Sequence, residues 1–272
     1  MTEDPFVAHR SLLFTVAYEM LGSAADAEDV LQETWLRWAG VDRSQVHDPR
    51  AYLVRAVTRQ ALNRIRTLSR RREDYVGQWL PEPLLTHPDV ADDVELAESV
   101  SIAMLTVLES LRPVERAVFV LREVFDMPYD EVAEAVGKTP AAVRQVARRA
   151  RDHVAVRQPR VKVSRSEHKI VVDRFVAALR TGRIQDLLEI MAPDVVLIAD
   201  GGGITAAALA PIHGAELVAT MLAGTDRAAF ETRVVWLNGA PAIRIESDSG
   251  GAAVSLVIES GRITRIYATS NP

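Results

Sequence analysis

The stretch Met127–Val154, MPYDEVAEAVGKTPAAVRQVARRARDHV, decides how the chain is organised. It reads as two helices joined by a tight turn. In the first, Val132, Ala133 and Val136 form an apolar face, and Gly137 can take the positive φ with which helices commonly end. In the second, Thr139 stands at the N-cap and Pro140 in the first turn, where proline is tolerated. Val143, Val146, Ala147, Ala150 and Val154 recur at helical spacing and predict the inner face. Arg144, Gln145, Arg148, Arg149 and Arg151 are left outside. A short helix, a glycine turn and a second helix with an Arg/Gln outer face form the pattern of a helix-turn-helix DNA reader. A solvated basic face on an ordinary bundle helix is the plainer alternative.

Composition narrows the surroundings of this element. The chain has 272 residues, 48% hydrophobic and 25% charged, the balance of a soluble globular protein with room for two or three domains. It has no cysteine, which excludes disulfides and thiolate metal sites, and neither a metal nor a cofactor is expected. No apolar run of 18 residues occurs and the N-terminus begins acidic, so neither a membrane span nor a signal peptide is expected, and the cytoplasm is the expected compartment. The net charge of -5 conceals an asymmetry. Residues 1–72 and 98–165 are net basic, whereas residues 73–97 hold seven acids and no lysine or arginine. Such an asymmetry says more about partners than the total does.

Working outward toward the N-terminus, residues 6–21 and 26–38 read as helices separated by Gly22 and Ser23. In the second of these, Ala27, Val30, Leu31, Thr34, Trp35 and Trp38 fall on one side, and Asp29, Gln32 and Glu33 on the other. A helix-dipole effect accounts for Asp29 but not for Glu33, which lies beyond the first turn. A polar loop follows, and then a long helix over residues 50–72. Along it Arg55, Arg59, Asn63, Arg66 and Arg70 recur every three or four residues, a polar stripe about 20 Å long without one acid. Like charges at this spacing repel, and phosphates would relieve the repulsion. The acidic segment 73–97 contains Pro81, Pro83 and Pro88, so it is no continuous helix. Its apolar Trp79, Leu80, Leu84 and Leu85 point to docking on something.

Helices are expected again over 94–111 and 114–126, ahead of the opening pair. The last third then changes character. Helices are expected over 167–179, 186–191 and 213–222, and strands over 195–199, 230–237, 242–246, 253–259 and 263–268. Asn238-Gly239 and Ser260-Gly261 sit between strand pairs, as hairpin turns do. Helices followed by an antiparallel meander predict an α+β domain.

The stretches AYEMLGSAADAEDVLQETWLRW and DPRAYLVRAVTRQALNRIRTLSRRR resemble domain 2 of an extracytoplasmic-function (ECF) sigma factor, and LRPVERAVFVLREVFDMPYDEVAEAVGKTPAAVRQVARRAR resembles its domain 4. YVGQWLPEPL, the DGGG of Asp200–Gly203 and a SnoaL-like C-terminal domain resemble the subgroup with a fused C-terminal extension. That subgroup usually carries Asn-Pro-x-Lys-Leu near its end, and here the sequence stops at Asn271-Pro272. The resemblance implies two all-α sigma domains followed by an α+β domain of the ketosteroid-isomerase-like cone type. It implies sigma domain 2 at 1–72, an acidic linker at 73–97, sigma domain 4 at 98–155, a basic linker at 156–166 and the SnoaL-like domain at 167–272.

The implied partners are core RNA polymerase, through its β and β′ subunits, and promoter DNA. Asp29, Gln32 and Glu33 would meet the polymerase; Arg55, Arg59, Asn63 and Arg66 would lie along the minus-ten DNA. The loop Val41–Asp48 would hold an unstacked base. Arg144 and Gln145 would read minus-thirty-five bases, while Thr139, Arg148, Arg149 and Arg151 would hold the surrounding DNA. Trp79, Leu80, Pro81, Glu82 and Pro83 with Asp200, Gly201, Gly202 and Gly203 would make a regulatory contact within the chain. Some SnoaL-like domains are enzymes, and Asp194, Asp200 and His213 are the acid/base candidates; each also suits a turn, and no catalysis is expected. Two rivals stand beside this reading: a helix-turn-helix regulator with a ligand-binding domain, and a SnoaL-type enzyme with a DNA-binding module. The first does not account for the acidic second helix, the basic stripe or the WLPEP segment, and turnover by the C-terminal domain would discriminate the second.

Overall fold

A computed structural model describes residues 4–73, 79–86, 101–157, 163–201, 210–225, 230–248 and 250–271. The chain divides into two compact units, Met1–Asp74 with Met104–Gln158, and Tyr75–Ala103 with Pro159–Pro272.

The first unit is helical. The helix expected over 6–21 is broken at His9 into α1 (Pro5–Ala8) and α2 (Arg10–Leu21). The Asp4 carboxylate starts α1 by accepting the Phe6 amide at 2.9 Å, and it also accepts the Trp38 indole N–H at 3.1 Å. Gly22 ends α2 with φ 69°, and the Ser23 hydroxyl caps α3 (Ala24–Ala39) by accepting the Asp26 amide. The long helix α4 (Pro49–Glu73) starts from Asp48, which accepts the Ala51 amide at 2.9 Å. Leu13, Val16, Leu21, Val30, Trp38, Leu53 and Val57 are buried between these helices. Trp35, expected inward, is instead 37% exposed and meets Phe6 edge-on at 5.0 Å.

Downstream lie α5 (Ile102–Glu109), α6 (Pro113–Phe119), α7 (Tyr129–Val136) and α8 (Pro140–Arg157). The helix expected over 114–126 is not α-helical throughout. Residues Val120–Val124 form a π turn, closed by the Phe125 amide on the Val120 carbonyl, and Asp126 follows with φ 46°. Arg122 steadies this exit by donating to the Met127 carbonyl at 2.9 Å and pairing with Asp126.

Arg116 on α6 is 5% exposed, and its guanidinium is met on several sides. It donates to the Leu108 carbonyl at 2.8 Å, the Met20 carbonyl at 2.8 Å and the Glu109 carboxylate at 2.9 Å. A buried cation is tolerated only when paired and hydrogen-bonded in this way.

The second unit has α9 (Arg165–Thr181), α10 (Ile184–Ile190) and α11 (Ala215–Ala223) with strands β1 (Met191–Asp200), β2 (Ile212–His213), β3 (Phe230–Leu237), β4 (Ala240–Ser247), β5 (Gly250–Glu259) and β6 (Arg262–Asn271). Ser164 and Glu167 form a capping box at the start of α9. The sheet order is β2-β1-β6-β5-β4-β3. Strands β3 to β6 form the expected antiparallel meander, but β1 runs parallel to β6, so the sheet is mixed. The chain crosses over after β1, through α11, before entering the meander, and such a crossover is what parallel neighbours require. His213, expected to begin a helix, pairs with Val196 instead. Asn238-Gly239 (φ 52° and 75°) and Ser260-Gly261 (φ 50° and 74°) close hairpins with positive φ at both positions. Val172, Phe175, Leu187 and Val218 from the helices pack on Ile243, Leu256, Ile263 and Ile266 from the sheet. The unit has the expected α+β layering, helices packed on one sheet.

Replacing Arg116 with Met is expected to destabilise the helical unit by about 3 kcal/mol, because it removes the cation that pairs with the Glu109 carboxylate and bonds the Leu108 and Met20 carbonyls. Urea unfolding of the full chain followed by far-ultraviolet circular dichroism measures this; an unchanged midpoint would show that the guanidinium carries none of the packing.

Candidate nucleic-acid interface

Local chemistry sets the attitude of α8. Gly137 ends α7 with φ 68°, and the Thr139 hydroxyl accepts the Ala142 amide at 3.3 Å. Val143, Val146, Ala147, Ala150 and Val154 are then buried. Arg144, Gln145, Arg148, Arg149 and Arg151 are exposed along the remaining face. The Arg144 guanidinium lies 5.8 Å from the Tyr129 ring centre, and Arg151 comes within 3.8 Å of the Glu123 carboxylate. An exposed ion pair of that length is worth little, so Arg151 keeps its reach toward an external anion.

The stripe on α4 is arranged differently from what its own sequence implies. Arg55 pairs with the Glu134 carboxylate on α7, and Arg59 donates to the Glu134 carbonyl at 2.9 Å. Further along, Arg66 donates to Asn63 at 2.8 Å. The side chain of Arg70 lies outside the described residues. The stripe has no acid of its own, so an acid 79 positions downstream supplies one.

A cleft of about 570 Å³ opens beside this contact. The loop Val41–Asp48 lines it together with Tyr52, Arg55, Glu131 and Glu134. A short turn at Arg43–Gln45 shapes the loop. The side-chain and backbone hydrogen bonds of Ser44 hold the Asp42 carboxyl below the usual carboxylate range. Glu131 Oε2 is buried without a partner among the described residues. Asp42, Asp48, Glu131 and Glu134 outnumber the single arginine here, so in this conformation the cleft is unfavourable to phosphate.

On α3, Asp29, Gln32 and Glu33 share one exposed face, as their spacing predicts. Two neighbours shape it. Arg64 bridges Asp26 at 2.6 Å and Asp29 at 3.0 Å, and Gln60 donates to Glu33 at 2.7 Å. Leu36, 67% exposed, sits one turn beyond on the same face and was not singled out in the sequence.

The WLPEP segment belongs to the second unit and is held there by its backbone. The Leu80 amide donates to the Asp200 carboxylate at 2.8 Å, in a buried setting. The Leu84 amide donates to the Asn238 side chain at 2.9 Å, and the Asn238 amide returns a bond to the Leu84 carbonyl at 2.8 Å. The Thr86 amide reaches the Trp236 carbonyl, and Leu85 bridges antiparallel to Leu237. Leu80 and Pro81 are buried and Pro83 is half-buried, as are Glu82 and Leu84, whereas Trp79 and Leu85 are exposed. Docking thus runs through the backbone and through two buried apolar anchors, Leu80 and Pro81. Asp200 closes β1 at 5% exposure and Gly201 follows it; Gly202 and Gly203 lie outside the described residues. Asn238 was read only as a turn residue, and nothing in an Asn-Gly pair announces that its side chain holds a distant segment.

Of the three acid/base candidates, Asp194 and His213 are exposed, and Asp200 is buried and accepts the Leu80 amide. Among the described residues no group of three or more His, Asp or Glu could hold a metal ion, and no helix is long and apolar enough to cross a membrane.

The chain matches the family Sigma-70 region 2 over residues 6–71 and the family Sigma-70, region 4 over residues 101–154. It is 39% identical over 228 residues to the ECF RNA polymerase sigma factor SigJ of Mycobacterium tuberculosis, covering 82% of this chain and 73% of that one. It is 32% identical over 270 residues to the probable ECF RNA polymerase sigma factor SigI of the same organism, covering 97% and 91%. The crystal structure of M. tuberculosis SigJ superposes with a TM-score of 0.80 at 32% identity, over 98% of this chain and 95% of that chain.

Asp200→Ala is expected to speed hydrogen exchange at the Leu80 amide about tenfold or more, since a hydrogen bond to a charged acceptor contributes about 1.5–3 kcal/mol. Exchange measured by nuclear magnetic resonance on the full chain checks this; unaltered protection at Leu80 would mean that the carboxylate does not hold the segment.

Proposed function

Since the chain belongs to the ECF RNA polymerase sigma factors, we propose that it binds core polymerase and starts transcription at promoters through two separate DNA contacts. The observation that carries this reading is the exposed Arg144, Gln145, Arg148 and Arg149 face of α8, set behind the Gly137 turn. In this reading Arg144 and Gln145 contact minus-thirty-five bases in the major groove, and Thr139, Arg148, Arg149 and Arg151 hold the flanking phosphates. The stripe Arg55, Arg59, Asn63 and Arg66 contacts minus-ten DNA, and the loop Val41–Asp48 takes the unstacked base into the cleft it lines. Asp29, Gln32 and Glu33 bind the β′ subunit, with Leu36 as the apolar centre of that patch, and the acidic linker faces the basic channel of the β and β′ subunits.

Supporting a regulated version of this function is the pairing of Arg55 and Arg59 with Glu134. Polymerase binding has to separate that pair before both DNA contacts are made. The working divisions follow from these roles: 1–72 for melting, 73–97 as the linker, 98–155 for upstream recognition, 156–166 as a second linker and 167–272 as the regulator. The last acts by holding Leu80–Thr86 through Asp200 and Asn238, not by turnover. The cytoplasm, where the polymerase works, is the site of action.

Run-off transcription with purified core polymerase is the direct test. A transcript that requires both the protein and its matched promoter is expected. No transcript on any matched promoter, together with DNA binding as a dimer without polymerase, would favour the helix-turn-helix regulator instead. Arg144→Ala is expected to weaken matched promoter binding by about 1–3 kcal/mol while sparing scrambled DNA; equal loss on both would make Arg144 a phosphate contact. Glu134→Ala is expected to raise the affinity of the free chain for minus-ten DNA about two- to fivefold, the scale of an exposed ion pair. Filter binding at fixed salt reads this, and unchanged affinity would show that the pair does not restrain the stripe.

A further inference from the structure

Within the second unit, beneath the β3–β4 hairpin and beside the start of α9, lies a small cavity of about 70 Å³. Ser101, His168, Asn238, Ser255 and Tyr267 contribute its polar lining, among apolar neighbours such as Leu237, Leu256 and Ile102 at the start of α5, which belongs with Ser101 and Ala103 to the second unit. His168 continues the inward stripe of Val171, Val172 and Phe175 back by one turn. Its imidazole is hydrogen-bonded to the backbone of Pro241, and its Nε2 is buried with no partner among the described residues. Nδ1 is therefore the nitrogen that donates to the Pro241 carbonyl, and Nε2 offers a lone pair. Burial pushes the imidazole pKa down, against a smaller opposing effect of the Pro241 bond, so the ring is neutral at pH 7.

A buried acceptor without a donor is uncommon in folded proteins and is usually met by water or a ligand. The walls here are mainly hydrocarbon, which suits a ligand with an apolar body better than a water cluster. The volume is roughly half of the ~150 Å³ cavity that accommodates benzene. We propose that this cavity binds a small neutral molecule of about three to five heavy atoms, with one O–H or N–H group that donates to His168 Nε2; short-chain alcohols and primary amides are the fitting class. Asn238 lines the cavity and also pairs with Leu84, so occupancy is placed to affect how firmly the linker segment is held. The site stands whether or not the polymerase reading does, because it rests on the second unit alone.

The test is a titration of the full chain, labelled with ¹⁵N-histidine, with isopropanol and with acetamide. Acetone, similar in size but lacking a donor, is the control. The His168 resonances are assigned by their loss in His168→Gln. A saturable shift of Nε2 is expected, with half-saturation on the order of 1–10 mM for a ligand this small, and acetone is expected to bind at least tenfold more weakly. The Leu84 amide is expected to change its exchange rate with the same saturation in the native chain and not in His168→Gln or His168→Phe. Two substitutions keep the test decisive if one of them fails to fold. No saturable shift with either donor up to about 100 mM, an equal response to acetone, or a Leu84 response that persists in both variants would overturn the proposal. So would an Nε2 already hydrogen-bonded to a water that neither probe displaces.

Discussion

A guanidinium withdrawn from water must find acceptors, and Arg116 finds them in places that fix the helical unit. One is the Met20 carbonyl near the end of α2; another is the Leu108 carbonyl near the end of α5. Carbonyls near helix ends keep acceptor capacity, so a fork-shaped cation that bonds two of them ties α6 to both α2 and α5. With α6 held against α2, α7 packs on α4 and Glu134 comes within reach of Arg55 and Arg59. The contact that covers part of the basic stripe is therefore a consequence of packing deeper in the unit.

Much of the fold was legible because its signals are local. Gly22 and Gly137 end helices with positive φ, and the pairs Asn238-Gly239 and Ser260-Gly261 turn hairpins as their composition dictates. The spacing of Val143, Val146, Ala147 and Ala150 assigned the buried face of α8 correctly and left the arginines outside. What the sequence hid was non-local. The parallel pairing of β1 with β6 depends on a crossover whose course no single strand encodes. The π turn at Val120–Val124 occupies a stretch whose apolar spacing is that of an ordinary helix.

The candidate surfaces divide along the same line. The acidic face of α3 and the basic face of α8 could be drawn from periodicity, since both are single-helix features. Reading α4 alone missed Glu134, because an ion pair between residues 79 positions apart leaves no periodic trace. Asn238 went unnoticed for a related reason: its turn geometry satisfied every local expectation, and its side-chain amide was then available for Leu84. His168 falls within the helix expected over 167–179 and carries no motif; only burial of its second ring nitrogen distinguishes it.

Strand β3 ends the sheet, and near its end Trp236 and Leu237 are matched by Thr86 and Leu85. An uncovered strand edge offers unpaired amides and carbonyls to any extended chain that meets it. Letting the 79–86 segment go would therefore do more than lengthen a tether. It would leave the Trp236–Leu237 end of that edge open on the C-terminal unit. A released state of this protein would therefore offer an extended partner an opening that the docked state fills.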